Sequence, residues 1–219
     1  MARGIVTFHF DDGHASHYDK AFKVFSEFGA VGCLCLIASE KYEGFYPKAL
    51  EMQKAGWEII SHSVNHIRMN EPLPPETVET EIRESKKRLE GFGFRISEWV
   101  TPMSTCHQSM RKTLEDNYIA AFTRYTKSGV VPIENLVIEQ PIDRFDLHRA
   151  CLSGRSMEEL KAYIDYVSAN DAWLVFYEHD IGAGVNATED TLRGLLEYCR
   201  LKDVAIETSA QVIKQKENA

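Results

Sequence analysis

The sequence predicts an α/β fold in which repeated βα units wrap a parallel sheet or barrel, and three observations carry that prediction. Short apolar runs bounded by turn residues alternate with longer segments of helical period along the whole chain. The 219 residues, 44% of them hydrophobic, suffice for one sizeable core, so a single domain over residues 1–219 is expected. Helix starts carry recognisable caps: Ser156 with Glu159 three residues on reads as a capping box, and Thr188 precedes an acidic first turn.

In chain order, strands are expected at 4–10, 31–37, 58–61, 99–101, 120–123, 146–148, 173–177 and 204–207, each a short run rich in β-branched, aromatic or other apolar residues. Helices are expected at 18–28, 46–55, 75–90, 108–117, 157–169, 189–199 and from 209 onward. The stretch "NEPLPPE" is a Pro-rich connector whose last proline suits a first helical turn. Residues 127–141, containing "SGVVPIENLVIEQP", fit an irregular strand or a long loop equally well. The sequence holds no internal repeat and no low-complexity tract.

A formal charge of -8, with lysines and arginines scattered, argues against nonspecific nucleic-acid binding, which needs clustered cations to neutralise phosphates. No apolar stretch reaches the length of a membrane span. The N-terminus runs from Met1 straight into a strand without room for a signal peptide, so a cytoplasmic location is expected. Five cysteines without C-x-x-C spacing suggest buried free thiols rather than disulfides or a thiolate zinc site.

The chemistry gathers where parallel βα folds place it, just past the C-terminal ends of strands. The first strand runs into "FDDGHASH", where the adjacent carboxylates Asp11 and Asp12 repel unless one is protonated, paired or metal-bound. His62 and His66 follow "GWEII", and their spacing of four is expected to put both rings on one side of a helical turn. His179 ends "WLVFYEH". Two imidazoles and one carboxylate, His62, His66 and Asp12, make a three-ligand set that leaves a divalent metal one open position. A cation there acidifies water and polarises a carbonyl, so Asp11 is the candidate general base and His179 the candidate general acid. Alternation along an extended backbone would point the side chains of Asp11 and Asp12 to these separate tasks. Taken singly, D-D-G is usually a turn and H-x-x-x-H a solvated pair; their joint placement at strand ends favours the catalytic reading.

The segments "TFHFDDG", "SHSVNH" and "FYEHD" resemble the first, second and last motifs of the polysaccharide deacetylase family, also called the NodB-homology family or carbohydrate esterase family four. The resemblance runs from Ile5 to about Val212. It implies a distorted (β/α) barrel of about seven strands and hydrolytic removal of N-acetyl, sometimes O-acetyl, groups from carbohydrate. It also implies Asp11 as base, Asp12, His62 and His66 as metal ligands and His179 as acid. The implied metal is zinc, with cobalt, nickel, manganese or iron admissible to the same donors.

The third motif departs from the family pattern. In "EWVTPMSTC" Val100 stands where the family carries an arginine that tunes the base, and Met103 where it carries an aromatic residue. The Met103 backbone N–H still suits an oxyanion donor, which needs no particular side chain. Arg149 of "DLHRACL" is expected to supply the missing charge, with Arg144 its competitor. His14 is placed for substrate contact, and Asp143, Asp146 and Asp180 are candidates for orienting His179. Trp57, Trp99 and Trp173 are expected in the core. The expected substrate is an N-acetylated sugar, sugar nucleotide or glycan of cell-surface polysaccharide or O-antigen synthesis. Rival readings are a hydrolase of a non-sugar amide and a catalytically silent carbohydrate-binding homologue.

Overall fold

The computed structural model describes residues 4–103, 106–124, 132–138 and 142–217. Among the described residues nine strands form one sheet: β1 (Ile5–Asp11), β2 (Cys33–Leu36), β3 (Glu58–Ser61), β4 (Ile96–Val100), β5 (Ala120–Phe122), β6 (Val137–Ile138), β7 (Ala150–Cys151), β8 (Trp173–Glu178) and β9 (Ala205–Ile206). The order is β5-β4-β3-β2-β1-β8-β6, with β7 on β8 and β9 on β1, and every pairing is parallel except that of β6 with β8.

The sheet closes on itself. Ala150 and Cys151 of β7 pair with Phe176 and Tyr177 of β8, while Leu147, three residues upstream, bridges Phe122 of β5 in parallel. The Leu147 N–H donates to the Ala121 carbonyl at 3.3 Å and its own carbonyl accepts from Thr123 N–H at 3.2 Å. Segment 147–151 is therefore the stave between β5 and β8 that completes a seven-stave distorted (β/α) barrel. The expected strand at 146–148 is displaced accordingly: only Leu147 pairs there, and the ladder proper lies at Ala150–Cys151. Of the segment 127–141, the described residues 132–138 hold a 3₁₀ turn, Ile133–Asn135, and the antiparallel β6. The rest of that segment lies outside the described residues. Two-residue strands carry too little period to be read from sequence.

Period-2 alternation divides β1 between two cores. Phe8 and Phe10 face outward, their rings within 5.6 Å of Phe25 on the helical segment His17–Glu27, whereas Thr7, His9 and Asp11 face the lumen. Within the lumen Trp173 Nε1–H donates to Thr7 Oγ1 at 3.0 Å, and the His9 ring lies 4.6 Å from that of Phe122. The C-terminal helix Ser209–Glu217 stoppers the end where strands begin. Its Val212 and Ile213 are buried among lumen residues, its Ser209 Oγ lies 2.7 Å from His9 Nε2, and Ala210 N–H donates to Glu58.

The remaining helices pack outside, and the Ser156–Glu159 capping box forms as expected. Trp57, Trp99 and Trp173 are all core residues. The five cysteines are free, four of them buried. Among the described residues no helix is long and apolar enough to cross a membrane.

Candidate active site and metal centre

The barrel's C-terminal rim assembles the predicted residues. Asp11 is the last residue of β1, and Asp12 follows with φ 76°, so the chain turns left-handed at the second carboxylate. The two side chains diverge through this turn, not through continued strand alternation as expected. Gly13 repeats the positive φ, and a Cβ there would meet Leu36 Cδ2 at 3.1 Å, so the D-D-G turn requires its glycine.

His62 and His66 do not occupy a helical turn. They flank a loop beyond β3 in which Ser63 and His66 have φ of 67° and 54°. The loop nonetheless brings both rings to Asp12: His66 Nε2 lies 3.1 Å and His62 Nε2 3.5 Å from Asp12 Oδ1. One ligand atom from each of the three residues falls within 4.8 Å of the others.

The surroundings of these ligands suit a cation. His62 Nδ1–H donates to the Val100 carbonyl at 2.9 Å, which fixes the tautomer and leaves Nε2 turned toward Asp12. Asp12 Oδ1 is buried with no hydrogen bond, the state of a carboxylate oxygen prepared for a cation. Burial opposes the Asp12 carboxylate, but the neighbouring imidazoles of His14, His62 and His66 outweigh it and hold the group well below the usual range. His62 is shifted upward, because the Asp12 and Asp11 carboxylates overcome its burial. Hard oxygen plus two imidazoles therefore fits a divalent metal, without choosing among zinc and its neighbours.

Asp11 turns the other way. Arg149 Nη1 donates to both its carboxylate oxygens, at 2.7 and 3.0 Å, and each side chain of the pair is 3% exposed. Burial works against the Asp11 charge, yet Arg149, His62 and His179 outweigh it and keep the group well below the carboxylate range. The Arg149 guanidinium also stacks 4.6 Å from the Tyr177 ring centre, and that ring lies edge-on to His179 at 5.8 Å. Arg149, on the stave that closes the barrel, is thus the arginine that reaches Asp11. Arg144 instead accepts Ala121 N–H through its backbone carbonyl.

His179, half-buried, follows β8 and is fixed by its backbone: His17 Nε2–H donates to its carbonyl at 2.8 Å, and its N–H donates to Glu178 Oε1 at 2.9 Å. Glu178, fully buried, also accepts from Ser153 Oγ and from Ala187 N–H, which ties down the loop after His179. The three aspartates expected to orient His179 are engaged elsewhere: Asp143 with Arg111, Asp146 with Arg124, and Asp180 with Ser16. His14 Nε2 lies 3.6 Å from Asp12 Oδ2 and is partly exposed at the rim. Met103, after β4, is 48% exposed and has φ 56°.

The sequence reading overlooked His17, Tyr177, Glu178 and Glu81. Glu81 had a detectable signal, since this acid sits on the inward stripe of Val78, Ile82, Ser85 and Leu89.

A sequence profile described as polysaccharide deacetylase matches residues 1–121. YxkH of Bacillus subtilis (strain 168), named as a polysaccharide deacetylase, is 29% identical over 86 residues, which make up 38% of this chain and only 30% of that relative's length. Among solved structures, the peptidoglycan deacetylase PdaC from Bacillus subtilis, as mutant D285S, superposes with a TM-score of 0.61 at 14% identity, covering 99% of this chain and 92% of that one. A family 4 acetyl xylan esterase from Clostridium thermocellum, in complex with a cobalt ion, gives 0.67 at 11% identity, covering 97% and 92%. At such identities the superpositions speak for the barrel alone, while the profile spans more than half of the sequence, including both aspartates and both loop histidines. The chain therefore belongs to the polysaccharide deacetylase family, on that family's distorted (β/α) barrel.

Proposed function

We propose that this protein is a metal-dependent hydrolase that removes an acetyl group, in the first place an N-acetyl group, from a carbohydrate. The observation that carries the reading is the division of labour between neighbouring carboxylates: Asp12 faces two imidazoles while Asp11 is clamped by a buried arginine. A divalent cation held by Asp12, His62 and His66, zinc first among the candidates, would supply Lewis-acid charge and acidify water.

The chain's own residues would do the rest. Asp11, oriented by Arg149, accepts a proton as water adds to the acetyl carbonyl carbon. The Met103 backbone N–H donates to the oxygen on which charge develops. His179 protonates the leaving nitrogen as the C–N bond breaks, which yields acetate and a free amine. His14 contacts the sugar from the rim. The proposed substrates are an acetylated glycan or an acetylated sugar nucleotide used in cell-surface polysaccharide or O-antigen assembly. Family membership supports a carbohydrate, and two superposed structures are named for peptidoglycan and acetyl xylan.

The test is acetate release from N-acetylhexosamine oligosaccharides and sugar nucleotides by zinc-loaded protein. Release is expected to stop with chelator and to fall about 10²–10⁴-fold in Asp11→Asn. Metal-loaded protein that liberates no acetate from any of these would sink the proposal and leave a non-sugar amide or silent binding in its place.

A further inference from the structure

The loop that carries both imidazoles is an improbable piece of backbone. Two of its non-glycine residues, Ser63 and His66, lie in the left-handed region, which is strained for side-chain-bearing residues and persists only where the surroundings over-determine it. Within the loop, Ser63 Oγ accepts His66 N–H at 3.0 Å. The larger constraint comes from outside.

Glu81, 1% exposed, reaches the loop from the helical run that begins at Pro75. Its Oε2 accepts the backbone N–H of Val64 at 3.1 Å and of Asn65 at 2.9 Å, and its Oε1 accepts Asn65 Nδ2–H at 2.6 Å. Two successive backbone N–H groups converging on one anion form a nest, which exists only while the backbone keeps this turn. The residues so gripped lie between His62 and His66. Glu81 also belongs to a π-helical turn, Glu79–Glu84, whose extra residue per turn changes which side chains face inward. A buried carboxylate whose oxygens are committed to three N–H groups of one loop is costly to desolvate and gives the fold no apolar contact in return.

We infer that Glu81 is a positioning residue of the cation site: by gripping the 64–65 turn it sets where His66 stands relative to His62 and Asp12, and hence how tightly a divalent cation binds. The inference rests on the reading of Asp12, His62 and His66 as a metal centre. Without the grip, Ser63 and His66 can relax to ordinary φ and His66 swings from its place 3.1 Å from Asp12.

The experiment measures zinc dissociation constants by chelator competition at 20 °C, and the visible spectrum of the cobalt-loaded form, for wild type, Glu81→Gln, Glu81→Ala and His66→Ala. Apoprotein melting is followed in parallel. Glu81→Ala is expected to bind zinc about 10–100-fold more weakly, the usual effect of losing a group that supports metal ligands, with an altered cobalt spectrum. Glu81→Gln, which keeps one carbonyl oxygen for the backbone N–H pair, should fall between Glu81→Ala and wild type. Should Glu81→Ala fail to fold, Glu81→Gln carries the test. Folded variants with wild-type zinc affinity and spectrum, even with lowered melting temperatures, overturn this inference alone and leave Glu81 a purely structural residue. Wild type that binds no zinc, with His66→Ala indistinguishable from it, overturns the metal reading and this inference with it.

Discussion

Asp11 and Arg149 lie 138 residues apart in the chain, and neither could stand in the barrel alone. Breaking a buried ion pair from one side strands the other charge and costs about 3–5 kcal/mol, more than the pair itself contributes. Arg149→Met is therefore expected to lower the urea-unfolding free energy by about that amount and to cut turnover sharply, and adding Asp11→Asn should restore part of the stability. Equal stability of Arg149→Met and wild type would show that the pair is not the contact described here. Much of this site was legible in the sequence because its chemistry is local: D-D-G, H-x-x-x-H and a strand-terminal His, weak signals singly, together announce the rim. Arg149 was reached by a different route, from the charge missing at Val100. The partners that hold His179 were not legible, because His17 reaches its carbonyl and Ser153 reaches its neighbour Glu178 from distant segments, and such hydrogen bonds carry no spacing signal.

The elements behave as their sequences suggest wherever a period is long enough to read. The helices Met157–Asn170 and Glu189–Leu201 start at the expected caps, and β1, β3 and β8 lie close to their expected bounds. The H-x-x-x-H loop is the instructive exception. Spacing identified the right pair of rings but the wrong backbone, since positive φ at Ser63 and His66 is enforced by tertiary contacts that no local pattern reveals. The π-helical turn His17–Phe22 carries a further consequence. His17 is fully buried, and burial pushes it down to about 4 from the ordinary 6.5, so it is neutral when it donates to His179. A depressed folded value means that the unfolded chain takes up the proton first. The contribution of His17 is thus present above pH 6.5 and lost as pH falls toward 4, worth at most about 3 kcal/mol. In metal-free urea titrations the stability advantage of wild type over His17→Gln should shrink by up to this much between pH 7 and pH 4. A constant difference would contradict it.

At the scale of the molecule, ligand binding and folding are linked. A cation that binds Asp12, His62 and His66 only in the closed barrel should stabilise the protein by about 2.7 kcal/mol at a hundredfold excess over its dissociation constant. Thermal melts with zinc should show this gain, chelator should reverse it, and His66→Ala should abolish it; zinc-independent melting of wild type would tell against the site. The barrel's closure links the scales. Its final stave joins β5 through the Leu147 bridge and β8 through a two-residue ladder, and that same short stave delivers Arg149. Parting this seam and releasing Asp11 are consequently one event: a chain that has lost the join also loses the counter-charge of its carboxylate, so the proposed hydrolysis would double as a report on whether the ring is shut.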